Sequence, residues 1–520
     1  MKKIYVFLIA VFSFGLSSCD MDMKPYNAIP DSEALKTYTD FVNMRTGLYS
    51  PLRGLTSGGY LLTTELMTDN FNAVVGFSNT YGDMYRWQFN AQTDDFESIW
   101  AGFQGVIGRC NYIIDYSADV DLNSTDIIGE EEDPEEIAAI QQEIHQIIGE
   151  AYFIRAFCLY NLAQYFCADY EASSATAANS GVAYSIKYEP TSDNSKYPAR
   201  ATLAETYQQI KSDIEAAKPL IPAETTSLNK TNPLAYVSQD LITAFEARVA
   251  LAMDDYATAA AKAVQLINTG AYALCADADE LVDMWHNDNA PEAIWQLPIP
   301  STNELAGQNG RYFLPYTAGS TPDYIPSGDF IGVFTSDDLR IDAYFKAETI
   351  TTTSGSSGTV LEMNKYPDDS NIHQNVVKTE NGRFQTEPKV FRIAEMYLIA
   401  AEAYAMSGNV AEAAKYLNEL QANRFADFTE KSYGNATELM NELKNERRRE
   451  MVCEGTRLFD LKRWHMGVNR TSTQQDDLCL FPGSTVTTKL SKAANDPKMI
   501  FPIPKAEIDA NPQIVQNPGY

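Results

Sequence analysis

The stretch from residue 392 to residue 423, RIAEMYLIAAEAYAMSGNVAEAAKYLNELQAN, decides the fold class predicted for this chain. Apolar side chains in its first half recur every three or four residues, the period of one helix face, at Ile393, Met396, Tyr397, Ala400 and Tyr404. The Ser-Gly-Asn sequence at 407–409 ends this helix, and a second helix is predicted over 410–423. The stretch is therefore predicted to form two helices joined by a tight turn.

A second stretch repeats this organisation. Helices are predicted over 237–253 and 256–268, with an Asp-Asp turn between them. After the turn, each pair carries small residues such as Ala259 and Ala413, which let two helices approach closely, as in a tetratricopeptide unit. Because the two pairs lie far apart along the chain, we predict a divergent helical scaffold with long insertions rather than a tandem array.

The remaining regions complete this fold prediction. The segment 145–166 is apolar on nearly every face and is predicted to be a helix buried on all sides, and it could form a degenerate pair with 202–218. Segments rich in Pro, Gly, Ser, Thr and Asn form the predicted insertions, with a short strand at 294–297: 171–200, 221–235, 298–330 and 349–390. The predicted fold class is mostly α, a tetratricopeptide-like helical-pair scaffold with an irregular loop-rich capping region and a few short strands. The body is expected to span 41–520, with the capping region at roughly 60–100 and 280–390.

Composition excludes two broad classes of protein. The 520 residues include 40 Lys and Arg against 70 Asp and Glu, a formal charge of −30, so no nucleic-acid partner is expected. A hydrophobic content of 45% excludes a mostly disordered chain.

The amino terminus has the order of a secretory signal. Lys2 and Lys3 precede an apolar run that ends in Leu-Ser-Ser before Cys19, which predicts a signal peptide over 1–18. This ending resembles a bacterial lipobox, which implies that Cys19 is lipidated and that 19–40 is a tether. The alternative is an ordinary secreted protein. The predicted location is the surface of the outer membrane, with the protein held by its lipid anchor.

The sequence contains no recognisable catalytic or metal motif. The four histidines are scattered, the cysteines lack metal-ligand spacing, and no phosphate-binding or nucleophile motif is present. With 70 Asp and Glu residues, the sequence leaves open a carboxylate pair of the glycosidase type, but no particular pair is singled out. We therefore predict no enzyme activity, no cofactor and no metal site, and buried free thiols for the six cysteines after Cys19.

The charged segment 446–464 is interpreted as structural. Glu446, Glu450 and Glu454 repeat every four residues with arginines nearby, the spacing of an ion-pair ladder on a helix. The segment also carries apolar residues, so it is expected to pack against the scaffold, with a break near Gly455.

Several motifs in order give the chain a resemblance to the SusD/RagB family of surface nutrient-binding lipoproteins. They are the lipobox at Cys19, Arg155-Ala156-Phe157 with Tyr165-Phe166, Arg392–Leu398 with Ala401-Glu402-Ala403, Glu446-Arg447-Arg448 with Glu454-Gly455 and Phe459-Asp460-Leu461, and Phe501–Pro504 with Asn511-Pro512 and Gln516–Tyr520. The resemblance implies a helical body, a SusC-like TonB-dependent transporter as partner and a glycan as ligand. The alternative is a peptide- or protein-binding surface lipoprotein, since some relatives serve peptide uptake.

The candidate ligand site lies in two segments that mix aromatic with polar residues and lack helical periodicity, 77–87 and 309–324. Aromatic faces stack on sugar rings, and neighbouring polar groups bond to sugar hydroxyls. The predicted ligand-binding residues are Asn79, Tyr81, Tyr85, Trp87, Arg311, Tyr312, Tyr316 and Tyr324. The alternative is that these aromatics pack the capping region onto the helices, which is the role expected for Trp100, Trp285 and Trp295.

Overall fold

The computed structural model describes residues 35–301, 304, 306–315, 321–367 and 386–520. The predicted signal peptide, Cys19 and most of the predicted tether lie outside the described residues, as does Tyr316. Among the described residues no helix is both long and apolar enough to cross a membrane.

The described chain is mostly helical, as predicted, with six short strands. The helices are α1 (Tyr38–Leu55), α2 (Gly59–Leu66), α3 (Gly82–Arg86), α4 (Asp94–Ser117), α5 (Thr125–Ile128), α6 (Pro134–Phe166), α7 (Leu203–Ala217), α8 (Gln239–Ala252), α9 (Tyr256–Ile267), α10 (Ala278–His286), α11 (Gly328–Ile331), α12 (Ile341–Tyr344), α13 (Ile393–Met406), α14 (Val410–Gln421), α15 (Ala436–Glu450), α16 (Arg457–Arg463), α17 (Gly483–Leu490) and α18 (Lys505–Ala510). The strands are β1 (Phe71–Ala73), β2 (Ala293–Gln296), β3 (Tyr324–Pro326), β4 (Phe345–Thr351), β5 (Ser357–Met363) and β6 (Lys389–Arg392).

Both predicted helix pairs are present and begin their second helices in the same way. The side chain of Asp255 accepts a hydrogen bond from the backbone N–H of Thr258 at 3.1 Å, and Asn409 does the same for Glu412 at 3.3 Å. These caps satisfy backbone donors that the first turn of a helix leaves free. Helix α9 packs along α13, so the two pairs share one hydrophobic core although they lie far apart in sequence.

Helix α6 is longer than the sequence pattern predicted, because it begins at Pro134 rather than near residue 145. Its added first turns are largely solvent-exposed, but Ile137, Ile140 and Ile144 keep the helical period and Asp133 caps the helix before Pro134, signals that the prediction from the apolar run at 145–166 did not use. The rest of α6 packs between α4 and α7. Arg155 holds α7 in place through a buried ion pair with Asp213, with 2.6 Å between Nη2 and Oδ1.

The strands form three separate two-stranded antiparallel sheets, β1 with β3, β2 with β6 and β4 with β5. Strand β2 confirms the strand predicted at 294–297, displaced by one residue. A second hydrophobic core, apart from that of the helix pairs, contains Phe71, Trp285 and Tyr344. Trp100 and Trp295 are also buried, so all three tryptophans assigned to the core are confirmed there. The six cysteines of the described chain are free and buried, as predicted.

The charged segment forms a structural network, but its ion pairs differ from those predicted. The segment breaks into α15 and α16 around Gly455, as expected. The network at its centre is called the buried ion cluster, and its members are at most 1% exposed: Glu292, Arg340, Arg392, Arg424, Glu446 and Glu450. Three of these residues are arginines from distant parts of the chain rather than from the helix itself. Of the arginines inside α15, Arg449 pairs with Glu446 at 2.6 Å.

Glu450 lies at the centre of this cluster. Its carboxylate oxygens are 2.9 Å from Arg424 Nε, 2.9 Å from Arg392 Nη1 and 3.0 Å from Arg340 Nη1. Burial alone would raise the pKa of Glu450, but the three guanidinium charges lower that pKa well below its ordinary value. Glu450 is therefore an anion at neutral pH.

Replacing Arg424 with Met tests the cluster. Met fills much of the same volume but leaves Glu292 and Glu450 without one of their cations, so the free energy of unfolding should fall by about 3–5 kcal/mol. The measurement is the midpoint of urea unfolding. The matched control is Lys346→Ala, which breaks a half-exposed pair with Glu348 and should change the free energy by less than about 1 kcal/mol. Equal midpoints for the two variants would contradict a constraining role for the cluster.

Candidate functional site

The structure brings the two predicted ligand-binding segments together. Strand β1 pairs with β3, so that Phe71 faces Pro326 and Ala73 faces Tyr324. Beyond the strands, the backbone N–H of Ser78 donates to Asp323 Oδ1 at 2.7 Å, and the backbone N–H of Tyr324 donates to the Tyr312 carbonyl at 2.9 Å. Segments that are more than 200 residues apart in sequence therefore form one local unit.

The chain after β1 folds into a tight turn around Gly82. Asn79, Tyr81 and Trp87 all adopt left-handed backbone angles, with φ of 66°, 55° and 58°. Such angles are uncommon outside glycine, and they concentrate at sites where the surrounding structure enforces them. A Cβ atom on Gly82 would lie 2.2 Å from Asn79 Oδ1, so a larger residue at this position would displace the Asn79 side chain.

Three of the predicted ligand-binding residues belong to the core, which corrects the prediction for them. Tyr85 and Tyr324 are 0% exposed and Trp87 is 3% exposed, so none of them presents a face to solvent. The ring of Tyr85 lies under the guanidinium of Arg470, 4.3 Å from its centroid. The hydroxyl of Tyr324 donates to the Thr80 carbonyl at 2.6 Å. Tyr85 and Tyr324 pack the turn onto the second core and Trp87 packs it onto the core of the helix pairs, the alternative role considered for them above.

The other described candidates remain at the surface and lie close together. Tyr81 and Tyr312 are partly exposed, and their rings meet edge to face with 5.4 Å between centroids and an angle of 84°. The guanidinium carbon of Arg311 lies 5.6 Å from the Tyr312 ring, and Arg311 and Asn79 are both exposed. Sugar contact by these four residues stays a prediction. Tyr316 lies outside the described residues.

Two residues that were not among the candidates also line this surface. Arg86 donates to Asn79 Oδ1 at 2.7 Å, and its guanidinium carbon lies 5.9 Å from the ring of Phe77. Both side chains are partly exposed. Both residues stand inside the segment 77–87, but local composition could not rank them because the turn decides which side chains point outward. The aromatic surface is defined here as Phe77, Asn79, Tyr81, Arg86, Arg311 and Tyr312.

The aromatic surface offers uncharged phenols beside charged donors. Burial of the hydroxyl groups raises the pKa of both Tyr81 and Tyr312, so both stay neutral at physiological pH. A neutral phenol can both donate and accept a hydrogen bond. The surface can therefore stack on a flat apolar face while bonding to hydroxyl groups around it, and no member of it is arranged as a nucleophile with a general base.

One group of side chains has donor atoms suited to a metal ion, and it lies apart from the aromatic surface. Potential ligand atoms of Asp169, Glu171 and His465 lie within 4.8 Å of one another. His465 Nδ1 is 3.5 Å from Asp169 Oδ2. Glu171 and His465 are exposed, and these contacts equally suit an ordinary ion pair.

Two family models match this chain on either side of its middle. The model described as the SusD family matches residues 302–520, and the model described as starch-binding associating with outer membrane matches residues 21–251. The chain belongs to the SusD/RagB family. The resemblance carried by the sequence motifs is thereby confirmed.

Curated relatives and solved structures agree with this family assignment. SusD-like protein P2 of Formosa agariphila is 24% identical over the full length of both chains. A SusD superfamily protein from Bacteroides thetaiotaomicron has a TM-score of 0.74 at 23% identity, covering 93% of this chain and all of that one. A SusD-like carbohydrate binding protein from Bacteroides vulgatus has a TM-score of 0.73 at 18% identity, covering 92% and 97%. At these identities the structures establish the SusD fold.

Replacing Gly59 with Ala is expected to move Tyr81 without disturbing the rest of the fold. A Cβ atom on Gly59 would lie 2.7 Å from the Tyr81 hydroxyl oxygen, so the end of this side chain must shift. The matched control is Gly105→Ala in α4, because its Cβ would meet nothing within 4 Å. Crystal structures of both variants should show a displaced Tyr81 ring in Gly59→Ala only. An unmoved ring would contradict the close packing of Tyr81 on α2.

Proposed function

We propose that the protein is a non-catalytic glycan-binding lipoprotein on the cell surface, which captures oligosaccharide and delivers it to a SusC-like TonB-dependent transporter in the outer membrane. The observation that carries the proposal is the aromatic surface, where the Tyr81 and Tyr312 rings meet edge to face beside Asn79 and Arg311. This surface offers the two kinds of contact that a carbohydrate makes with a protein, stacking and hydrogen bonding.

A sugar ring needs an apolar surface for its C–H face and hydrogen-bonding groups for its hydroxyls. The Tyr81 and Tyr312 rings stand at 84° to each other and form a corner, so a sugar stacked on one ring meets the edge of the other. Asn79 and Arg311 are exposed beside this corner and offer amide and guanidinium groups. The left-handed turn at 79–81 sets these groups before a ligand arrives, which reduces the entropy lost on binding.

The family assignment supports a carbohydrate ligand and an outer-membrane setting. One matching family model is described as starch-binding associating with outer membrane, and one solved structure with this fold is named a carbohydrate binding protein. The formal charge of −30 disfavours highly sulfated or uronate-rich glycans through long-range repulsion, although salt weakens this effect beyond about 8–10 Å. The proposed ligand is therefore a neutral oligosaccharide.

A binding screen against polysaccharides and peptides tests the ligand class. Tyr81→Ala and Tyr312→Ala should each weaken binding of the identified glycan roughly 5- to 30-fold, corresponding to about 1–2 kcal/mol of lost stacking. Isothermal titration calorimetry measures the loss. The matched control is Tyr404→Ala, which removes a partly exposed tyrosine stacked on Tyr416 in the helix pair and should leave affinity unchanged.

Two outcomes of this screen would count against the proposal. Full affinity in both folded tyrosine variants would show that the glycan binds elsewhere. Binding of peptides without any glycan would favour the peptide-binding lipoprotein instead.

The anchor and the transporter are tested in cells. Cys19→Ala should release the protein from the membrane fraction, because a lipidated cysteine is the proposed attachment. The parent protein should co-purify with an outer-membrane transporter after gentle detergent extraction. Membrane retention of the Cys19→Ala variant with lipid still attached would contradict the anchor, and normal glycan uptake after deletion of the gene would contradict the delivery role.

A further inference from the structure

A second cavity, distinct from the aromatic surface, lies where α6, α8 and the α15–α16 segment meet. Its volume is about 120 Å³, and none of the residues of the aromatic surface lines it. Its walls combine apolar side chains, among them Phe157, Leu251 and Phe459, with several charged and hydroxyl-bearing ones. Nothing in the proposed glycan-binding site accounts for this cavity.

Two buried polar atoms on the cavity wall have no hydrogen-bond partner within the part of the chain that the structure describes. They are Nη1 of Arg447 and Oγ1 of Thr456, and Arg447 as a whole is 5% exposed. Leaving a buried donor unsatisfied is unfavourable, so such atoms normally meet a ligand or an ordered water. Both residues line the cavity and lie within ten positions of each other in the α15–α16 segment.

The charge of Arg447 is already neutralised by protein groups. Its Nε donates to Asp460 Oδ2 at 2.7 Å, and its Nη2 lies 3.7 Å from Glu395 Oε1. Asp460 pairs in turn with Arg463 at 2.8 Å, and Glu395 pairs with Arg248 at 2.5 Å. The free Nη1 therefore needs an acceptor atom but no negative charge, which favours a neutral oxygen-bearing ligand over an anion.

The other charged groups on the cavity wall lead to the same conclusion. Lys389 pairs with Asp288 at 2.6 Å, and Glu454 pairs with Arg392 at 2.7 Å. The ammonium of Lys462 donates to the Gln164 and Cys167 carbonyls, and its burial lowers its pKa to about 8. The carboxylate of Asp169, also on the wall, acts to raise that pKa, so the opposite charges of Lys462 and Asp169 offset each other, while the other charged groups named here pair within the fold.

We propose that this cavity binds a small neutral polyol, with one oxygen accepting from Arg447 Nη1 and another bonded to Thr456 Oγ1. The apolar wall around Phe459 suits the carbon skeleton of such a ligand. A cavity of about 150 Å³ holds one benzene molecule, so this cavity fits roughly six non-hydrogen atoms, the size of glycerol. The site stands independently of the aromatic surface.

Ligand-observed NMR titration of the purified full chain with glycerol tests the proposal, with acetate as the anionic probe of similar size. Thr456→Val removes the hydroxyl at nearly constant volume and should weaken glycerol binding about 2- to 10-fold, the effect of one lost hydrogen bond. Ala252→Leu adds side-chain volume at the cavity wall and should abolish binding. The matched control is Thr46→Val, an exposed hydroxyl on α1 that should not matter.

Glycerol binding in the cavity can be tested independently of glycan binding at the aromatic surface. A Tyr81→Ala/Tyr312→Ala double variant should bind glycerol as the parent does, because the aromatic surface takes no part in the cavity. The proposal is overturned if the NMR titration shows no binding of glycerol to the parent protein and a crystal structure shows only ordered waters in the cavity. It is equally overturned if acetate binds more tightly than glycerol, or if Thr456→Val and Ala252→Leu both bind as the parent does.

Discussion

Glu450 binds three arginines from three separate parts of the chain, and the positions of the surrounding segments depend on that contact. Arg340 precedes α12, Arg392 ends β6 and Arg424 follows α14. Removing such charges from water is costly, so a buried cluster of this kind adds little net stability over apolar packing. Its physical effect is to penalise any arrangement in which one partner is missing, and it therefore favours the one packing that satisfies all of them.

The same charged segment also contacts the part of the chain that leads into the aromatic surface. Arg448 donates to Asn70 Oδ1 at 2.7 Å, and Arg457 pairs with Asp69 at 2.9 Å. Arg470, just beyond the segment, donates to the Leu66 carbonyl at 2.7 Å. These contacts hold the chain immediately before β1, and β1 leads into the left-handed turn that carries Asn79 and Tyr81. The turn of the aromatic surface is thus held in place by contacts from a distant part of the sequence.

The ion pairs show the limit of reasoning from spacing alone. The four-residue repeat of Glu446 and Glu450 correctly indicated a structural network, because i and i+4 positions share a helix face. It suggested partners inside the same helix, whereas Arg340, Arg392 and Arg424, all outside that helix, supply the positive charge at Glu450. Spacing along a helix reports which residues share a face but carries no information about what that face packs against.

The candidate site shows the same limit of prediction from sequence. Composition singled out two segments that the structure brings together, yet it could not separate Tyr81 and Tyr312, at the surface, from Tyr85 and Trp87, in the core. In this turn several residues have left-handed backbone angles. The position of a residue along the chain therefore no longer predicts whether its side chain points to solvent or to the core. Which aromatics point outward was settled by the pairing of β1 with β3 and by packing on the second core.

The helix pairs, their turns and the absence of familiar catalytic motifs followed from the amino-acid order alone, since capping residues and a period of three to four residues act over short distances. The start of α6 at Pro134 was also written in local sequence, in the Asp133 cap and the spacing of Ile137 and Ile140, but the prediction followed only the densest part of the apolar run. The aromatic surface, the buried ion cluster and the cavity beside Arg447 each join segments far apart in sequence. They exist only once the chain has folded, because burial, charge pairing and the exposure of a ring are properties of the contacts that distant residues make.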